Sequence, residues 1–304
     1  MTQGRLPNLI IAGVGKAGTT SLFWYLSQHP NICASKVKEI RYFLPLAEGD
    51  GGVLPPLEDY AKHFKHCGTE AFRLEASPQY FHGGKPIIDA IKRTLDHPRI
   101  ILVLRDPVQR LWSTYRFVKS RMGPLPTSLT FDEYVARCQK VREERQPLSR
   151  ENGPYWTLSG GFYVEHIDQW LDAFGEDMRV LFFENMVEDP PFVVGEVCRW
   201  LGIDDRCVHS FNYSQENKTI EFRSKTLQRL ALVLNSERLL GSRRALKDPL
   251  RRAYYAVNKK PRQERMVEAT RLRLQHLLKD GNAALGADLR RRGYTDLPAW
   301  LNAS

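Results

Sequence analysis

The stretch Leu9-Ile-Ile-Ala-Gly-Val-Gly-Lys-Ala-Gly-Thr-Thr-Ser-Leu22 decides the fold of this chain. It opens with a short apolar run, which is typical of a buried parallel strand. A loop with three glycines follows, and three hydroxyl residues then lead into the apolar periodicity of a helix start. A strand, a glycine loop and a helix N-terminus in this order form an anion-binding site, because backbone N–H groups approach the anion and the helix dipole favours negative charge.

A lysine within the glycine loop strengthens the prediction of an anion. A strand-to-helix turn without a ligand would explain the glycines alone, but a lysine and three consecutive hydroxyls favour a ligand. In the common ATP-binding loop the lysine follows the last glycine, whereas Lys16 precedes Gly18 by two residues. An ordinary ATP or GTP site therefore fits poorly. The residues predicted to bind the anion are Lys16, Ala17, Gly18, Thr19, Thr20 and Ser21.

The composition is that of a globular protein with anionic partners. The chain has 304 residues, 42% of them hydrophobic, and a formal net charge of +10. This charge predicts nucleotide phosphates, acidic glycans, nucleic acid or a membrane surface as partners. The sequence shows no signal core and no run long enough to span a bilayer. The five cysteines are scattered without a CxxC pair, which predicts a cytoplasmic protein without a disulfide framework. Cys198 and Cys207 could pair, but their interpretation as two buried free thiols is favoured.

Strands and helices alternate along the chain, which predicts an α/β fold with a central parallel sheet and flanking helices. After the first strand, further strands are predicted at residues 72–76, 99–104 and 179–183. The polar segment 119–160 is interpreted as an insertion over the sheet, and the Trp300-Leu301 tail is expected to dock on the core. Helices are predicted over residues 86–95, 108–117, 131–141, 162–174, 190–201 and 266–278.

The composition shifts near the C-terminus. Residues 237–265 hold ten lysines and arginines against three acidic residues. A solvated helical hairpin is one interpretation of this basic stretch, and a surface that faces a substrate or a membrane is the other. We expect one domain over residues 1–304, with a core at about 8–225 and a basic helical region at about 226–304.

Three motifs in order resemble the 3′-phosphoadenylyl sulfate (PAPS)-dependent sulfotransferases, in the branch of the heparan sulfate enzymes and many bacterial cytosolic enzymes. The first is the glycine loop itself, and the second is Lys38-Glu39-Ile40-Arg41-Tyr42-Phe43. The third is Val103-Leu104-Arg105-Asp106-Pro107, with Ser113 eight residues after the arginine. Weaker matches are Glu75-Ala-Ser-Pro-Gln-Tyr80, Gly161-Phe-Tyr163 with Trp170, and Glu184 with Asp189-Pro190.

The resemblance implies a role for each motif. The glycine loop would hold the 5′-phosphosulfate of PAPS, and Lys16 would stabilise the leaving phosphate. Arg105 and Ser113 would contact the 3′-phosphate, and Arg223 or Lys218 would complete the nucleotide site. Glu39 would be the general base toward a hydroxyl of a carbohydrate, a lipid or another small molecule, with His66 and His82 as the next candidates, and no metal is expected.

The sequence departs from the family on the acceptor side. Arg41 stands where the animal glycan enzymes often have histidine, and Thr20 and Ala76 stand near positions that often carry lysine or arginine. The acceptor site is therefore expected to differ from that of a heparan sulfate enzyme.

Two alternatives belong to other functional classes. A nucleotide kinase on a related sheet lacks support, because the Gly-Lys-Ser/Thr order is absent. A nonenzymatic binder of nucleic acid or membrane would use the basic stretch, but the only aromatic residues there are Tyr254 and Tyr255, too few for base stacking. We therefore expect no nucleic-acid partner, and the basic region offers peripheral membrane contact.

Overall fold

Five parallel strands form one sheet in the computed structural model, which describes residues 6–47, 52–120, 126, 128–149, 151–214 and 265–302. The strands are β1 (Leu9–Gly13), β2 (Ile32–Ala34), β3 (Phe72–Ala76), β4 (Arg99–Leu104) and β5 (Met178–Phe182). Their order across the sheet is β2-β3-β1-β4-β5, so β1 lies at the centre between β3 and β4. The carboxyl ends of these three strands are therefore neighbours at one edge, where open parallel sheets bind ligands.

Most of the helices in the described residues were predicted. They are α1 (Thr19–Leu26), α2 (Leu57–Ala61), α3 (Gly84–Thr94), α4 (Pro107–Ser120), α5 (Phe131–Glu143), α6 (Val164–Phe174), α7 (Phe183–Glu188), α8 (Pro190–Leu201) and α9 (Glu268–Arg291). The α/β fold with a central parallel sheet is confirmed. Every residue of β1 is buried, which agrees with the continuous apolar run that is typical of a strand covered on both faces.

The described part of segment 119–160 contributes to a second apolar cluster. The predicted amphipathic piece is helix α5, which begins with a capping box between Thr130 and Glu133. Its buried side chains join those of α4 and α9 in a second apolar cluster that includes Tyr115, Tyr134 and Leu274. This cluster contains no residue of the strands, so the interpretation of an insertion over the sheet is corrected.

Four further elements differ from the prediction. Helices α2 and α7 were not predicted, because five and six residues are too few to show helical periodicity. Strand β2 was not predicted, because three residues are too few to show a periodic pattern, and it forms through pairing with β3. Helix α9 continues thirteen residues past the predicted end at 278, to Arg291. The tail docks as predicted, since Leu301 is buried and Trp300 Nε1 donates a hydrogen bond to Glu184.

A disulfide joins Cys33 and Cys67, so the prediction of a chain without disulfides is wrong. The disulfide joins β2 to the segment before β3, across 34 positions of sequence, a contact that cysteine spacing does not reveal. Cys198 is buried and free as predicted, whereas Cys207 is free but half-exposed. Within the described ranges, the one cluster of three side chains with atom types that bind metals is Cys33, Cys67 and His66, and its two sulfurs are bonded to each other instead of being free thiolates. The absence of a required metal and the cytoplasmic location stay predictions.

Part of the predicted C-terminal region lies outside the described residues. This applies to Lys218, Arg223 and the basic stretch up to residue 264. The division into a core and a basic region therefore stays a prediction. None of the helices in the described ranges combines the length and the apolar character needed to cross a membrane.

Candidate functional site

The glycine loop leaves the centre of the sheet at the end of β1. The Val14 N–H donates to the Val103 carbonyl at 2.9 Å, which fixes the start of the loop to β4. Lys16 and Gly18 have left-handed backbones, with φ of 69° and 82°. A Cβ on Gly18 would lie 2.4 Å from Met186 Cε and 2.9 Å from a ring carbon of Phe183, so only glycine fits there. The N-terminus of α1 follows directly, and no side chain caps it.

Lys16 brings the loop against two other elements. Its carbonyl oxygen accepts a hydrogen bond from Arg105 Nη1 at 3.0 Å, and its Nζ lies 4.1 Å from the centre of the Phe117 ring. Phe117 lies one helical turn past Ser113, so the two share a face of α4. The structure therefore places Lys16 in contact with both Arg105 and the face of α4 that carries Ser113.

Arg105 follows the last residue of β4. Its guanidinium stacks 4.2 Å from the centre of the Phe183 ring, and its carbonyl accepts a hydrogen bond from the Tyr163 hydroxyl at 2.9 Å. Burial lowers the pKa of Arg105, and the negative charge of Glu184 opposes this shift. Among the described residues, Arg105 Nε is buried without a hydrogen-bond partner. A buried guanidinium with an unused N–H is suited to an anion.

The two acidic residues near Arg105 are engaged elsewhere. Asp106 caps α4, because its Oδ1 accepts from the N–H groups of Val108 at 2.8 Å and Gln109 at 3.3 Å. Glu184 accepts the backbone N–H of Asp106 at 3.0 Å and the indole N–H of Trp300 at 3.3 Å. These carboxylates therefore fix the chain around Arg105 instead of forming a direct ion pair with its guanidinium.

Glu39 lies at the carboxyl end of β3. Its backbone N–H donates to the Ala76 carbonyl at 2.9 Å, which attaches the segment to the same edge of the sheet as the glycine loop. Its side chain accepts from Lys38 Nζ at 3.1 Å, from Arg41 Nη2 at 2.5 Å and from Gln79 Nε2 at 3.3 Å. The carboxylate is thus held by two cations and an amide.

These contacts determine the charge of Glu39. Burial raises its pKa, but the hydrogen bond from Arg41, the charge of Lys38 and the Gln79 amide outweigh burial and lower the pKa to about 2. Glu39 is therefore ionised throughout the neutral range. Burial also lowers the pKa of Lys38, and the charge of Glu39 and its hydrogen bond to Lys38 oppose this shift.

The backbone at the candidate site is unusual. Five non-glycine residues of the described chain have positive φ, and three of them belong to this site: Lys16, Glu39 and Arg41. Such conformations persist only where the surroundings hold them, and they are concentrated at functional sites. The glycine loop and the Glu39 segment, which lie at the same edge of the sheet, therefore both contain non-glycine residues with positive φ.

The two histidines predicted as next candidates for a base are engaged in other contacts. His82 Nε2 lies 3.0 Å from the Gly160 carbonyl, and burial, with the charge of Arg110, lowers the pKa of His82 well below its usual value. His66 lies on the surface beside the disulfide, with its Nε2 3.1 Å from the Ala34 carbonyl. Glu39 therefore remains the best-placed candidate.

Sequence reasoning missed several supporting residues. Gln79 and Ser77 belong to a motif that was recognised without assigning roles to them. Phe117 and Phe183 stack on the site cations, and no sequence signal separates them from ordinary core aromatics.

The fold and the site define an α/β protein with an anion-binding loop after its central strand. The profile of the sulfotransferase domain family matches residues 6–237, and the chain belongs to that family. In structure, the chain resembles the sulfotransferase from Alicyclobacillus acidocaldarius, with a TM-score of 0.59 and 26% identity over 80% of this chain and 96% of that one.

Two relatives with curated names extend the comparison. The bifunctional heparan sulfate N-deacetylase/N-sulfotransferase 1 of Caenorhabditis elegans is 24% identical over 314 residues, covering 100% of this chain and 32% of the relative. The membrane-associated sulfotransferase kil1 of Dictyostelium discoideum is 40% identical over 275 residues, covering 66% of this chain and 56% of kil1. The chain thus spans about a third and about half of these relatives' lengths.

Proposed function

We propose that the chain transfers a sulfuryl group from PAPS to a hydroxyl of a carbohydrate, glycolipid or other small molecule. One observation carries this proposal: the glycine loop with Lys16 is hydrogen-bonded to Arg105 at the end of the neighbouring strand. The Arg105 guanidinium therefore contacts the backbone of the loop that carries Lys16, at the edge of the sheet where its strands end. PAPS has two matching anionic groups, a 5′-phosphosulfate and a 3′-phosphate.

The reaction breaks the bond between sulfur and the 5′-phosphate oxygen and forms a bond between sulfur and the acceptor oxygen. Negative charge grows on the leaving phosphate, so a cation placed there stabilises the transition state more than the ground state. We assign this role to Lys16, with the loop N–H groups and the Thr19 and Thr20 hydroxyls as further donors. The acceptor hydroxyl gives its proton to Glu39.

Glu39 needs a higher proton affinity during the reaction than it has in the free protein. Its hydrogen bonds to Lys38 and Arg41 stabilise the carboxylate and hold its pKa at about 2. The sulfonate of a bound donor attracts the same cations. When one of them turns to the donor, the carboxylate loses a hydrogen bond, and its pKa rises toward the range that suits a general base.

The pH profile of kcat/KM reports the free protein and should show no acid limb from Glu39 between about pH 5 and 8. The physical reason is the lowered pKa of Glu39, about 2, because the carboxylate is protonated only when the pH falls to that range. The measurement is the initial rate of sulfuryl transfer at low substrate concentration across this range. An acid limb that disappears in His82→Gln or His66→Gln would instead make that histidine the base.

The donor site is tested by nucleotide binding. Adenosine 3′,5′-bisphosphate should raise the melting temperature more than 5′-AMP does, and Arg105→Ala should remove the difference. Charge-assisted hydrogen bonds contribute roughly 1.5–3 kcal/mol, so the bisphosphate affinity should fall about tenfold to hundredfold. Arg93→Ala, which removes an exposed arginine from α3, is the matched control and should keep the preference. Equal stabilisation of the wild type by both nucleotides would contradict the 3′-phosphate site.

An amine acceptor is the second candidate, because the Caenorhabditis elegans relative is named as an N-sulfotransferase. The departures from the family pattern at Thr20, Arg41 and Ala76 support an acceptor that differs from that of the heparan sulfate enzymes. Radiolabelled product formed from a cell extract separates the two: nitrous acid releases label from N-sulfated amino sugars and leaves O-sulfates intact. Label that resists this treatment supports a hydroxyl, and label that is released supports an amine.

The remaining expectations complete this proposal. We propose that transfer requires no metal ion, that the protein acts in the cytoplasm without a nucleic-acid partner, and that Arg223 or Lys218 completes the donor site. The basic stretch 238–265 would face the acceptor or a membrane surface.

A further inference from the structure

Glu75, near the end of β3, is a buried carboxylate that accepts hydrogen bonds from three hydroxyl groups. It has no exposed surface. Its Oε1 accepts from Ser77 Oγ at 2.6 Å and from the Tyr80 hydroxyl at 2.8 Å, and its Oε2 accepts from the Tyr60 hydroxyl. Burial raises the pKa of Glu75, and the three hydroxyl donors oppose that shift.

The direction of these hydrogen bonds follows from the carboxylate. An ionised carboxylate can only accept, so Ser77 and Tyr80 give their hydroxyl hydrogens to Glu75. Their oxygen lone pairs are then available to accept from other groups. Ser77 Oγ accepts the backbone N–H of Arg41 at 2.9 Å, and the Tyr80 oxygen accepts the backbone N–H of Phe43 at 3.4 Å.

Both of these N–H groups belong to the segment that carries Glu39. Glu39 and Arg41 have φ values of 65° and 60°, so this backbone needs external support. The support consists of the bond from Glu39 N–H to the Ala76 carbonyl and the bond from Arg41 N–H to Ser77. Without the Ser77 acceptor, the Arg41 backbone can relax. The Arg41 guanidinium, which is the strongest partner of the Glu39 carboxylate, is then no longer held in place.

We propose that Glu75 is a positioning residue that, through the Ser77 hydroxyl, holds the backbone of residues 39–43 and thereby aims Glu39 at the acceptor. The proposal rests on the proposed function of Glu39 as the base. Tyr60 provides the contrast. Its hydroxyl bonds to the same carboxylate, but its contacts with the Glu39 segment are made by its ring, which stacks on Tyr42 at 4.3 Å between centres and meets Phe43 edge-on at 5.6 Å.

The test compares Ser77→Ala with the matched control Tyr60→Phe. Each removes one hydroxyl donor from Glu75, but only Ser77→Ala removes the acceptor of the Arg41 N–H. With radiolabelled PAPS and a fixed cell extract as acceptor, Ser77→Ala should lower the initial rate up to ~10²-fold, the cost of a misplaced catalytic group. Tyr60→Phe should stay within about threefold, and both should bind adenosine 3′,5′-bisphosphate like the wild type.

A double-variant cycle separates positioning from general stability. In a Glu39→Gln background, Ser77→Ala should cause no further loss of rate, because the group that it positions is already gone. An equal loss in both backgrounds, or an equal loss from Tyr60→Phe, would overturn the proposal. If Ser77→Ala does not fold, Tyr80→Phe, which removes the acceptor of the Phe43 N–H, takes its place with the same expected pattern.

Failure of the underlying function gives a different result. If Glu39→Gln alone transfers label at the wild-type rate, Glu39 is not the base, and the positioning role falls with it. If Glu39→Gln is impaired while Ser77→Ala and Tyr80→Phe are both active, the base stands and only the positioning role is refuted.

Discussion

Replacement of Glu39 by glutamine is expected to lower kcat by ~10²–10⁴, the usual contribution of a positioned base. Glutamine keeps the shape of the side chain and one acceptor oxygen, but it cannot take the proton of the acceptor. The affinity for adenosine 3′,5′-bisphosphate should stay near the wild-type value, because Glu39 is not assigned a donor contact. The measurement combines initial rates at saturating PAPS with nucleotide titration.

The control for this variant is Glu58→Gln, which neutralises an exposed carboxylate on α2. It should change kcat by less than about threefold. A Glu39→Gln protein that is equally active, with chemistry limiting the rate, would refute the assignment of Glu39. Variants of His82 and His66 would then be the next to measure.

Replacement of Lys16 by alanine is expected to impair both catalysis and donor binding. Loss of one donor at a site of developing negative charge costs ~10²–10³ in kcat. The affinity for PAPS should fall as well, because Lys16 is proposed to contact the phosphosulfate before and during transfer. Alanine tolerates the left-handed backbone no worse than lysine does, so the effect reports the ammonium group rather than the loop.

Lys85→Ala is the matched control, since Lys85 is a largely exposed lysine on α3 paired with Asp89. It should leave both quantities near the wild-type values. The two active-site variants are distinguishable, because Glu39→Gln should spare donor binding and Lys16→Ala should not. A Lys16→Ala protein with unchanged kcat would remove the lysine from the proposed mechanism.

The strands and the anion loop were predictable because their signals are local. A continuous apolar run such as residues 99–104 indicates a buried strand without knowledge of its neighbours. The cations near Glu39 were also visible, since Lys38 and Arg41 are its neighbours in the sequence. The contact between Arg105 and Lys16 was not, because it depends on the pairing of β4 with β1.

The residues that hold the candidate base in place come from segments that are distant in the sequence. Gln79 and Ser77 reach the Glu39 segment because that segment is hydrogen-bonded to the end of β3. Two other contacts between distant segments, the pairing of β2 with β3 and the Cys33–Cys67 disulfide, escaped prediction for the same reason. Periodicity describes how an element meets the core, but it does not say which elements become neighbours.

The central claim is sulfuryl transfer from PAPS, and incubation of the protein with radiolabelled PAPS and a cell extract tests it most directly. The account predicts label in an extract-dependent product, with formation blocked by excess adenosine 3′,5′-bisphosphate and strongly reduced in Glu39→Gln. A folded wild-type protein that binds the bisphosphate but transfers no label from PAPS to extracts from several sources would contradict it.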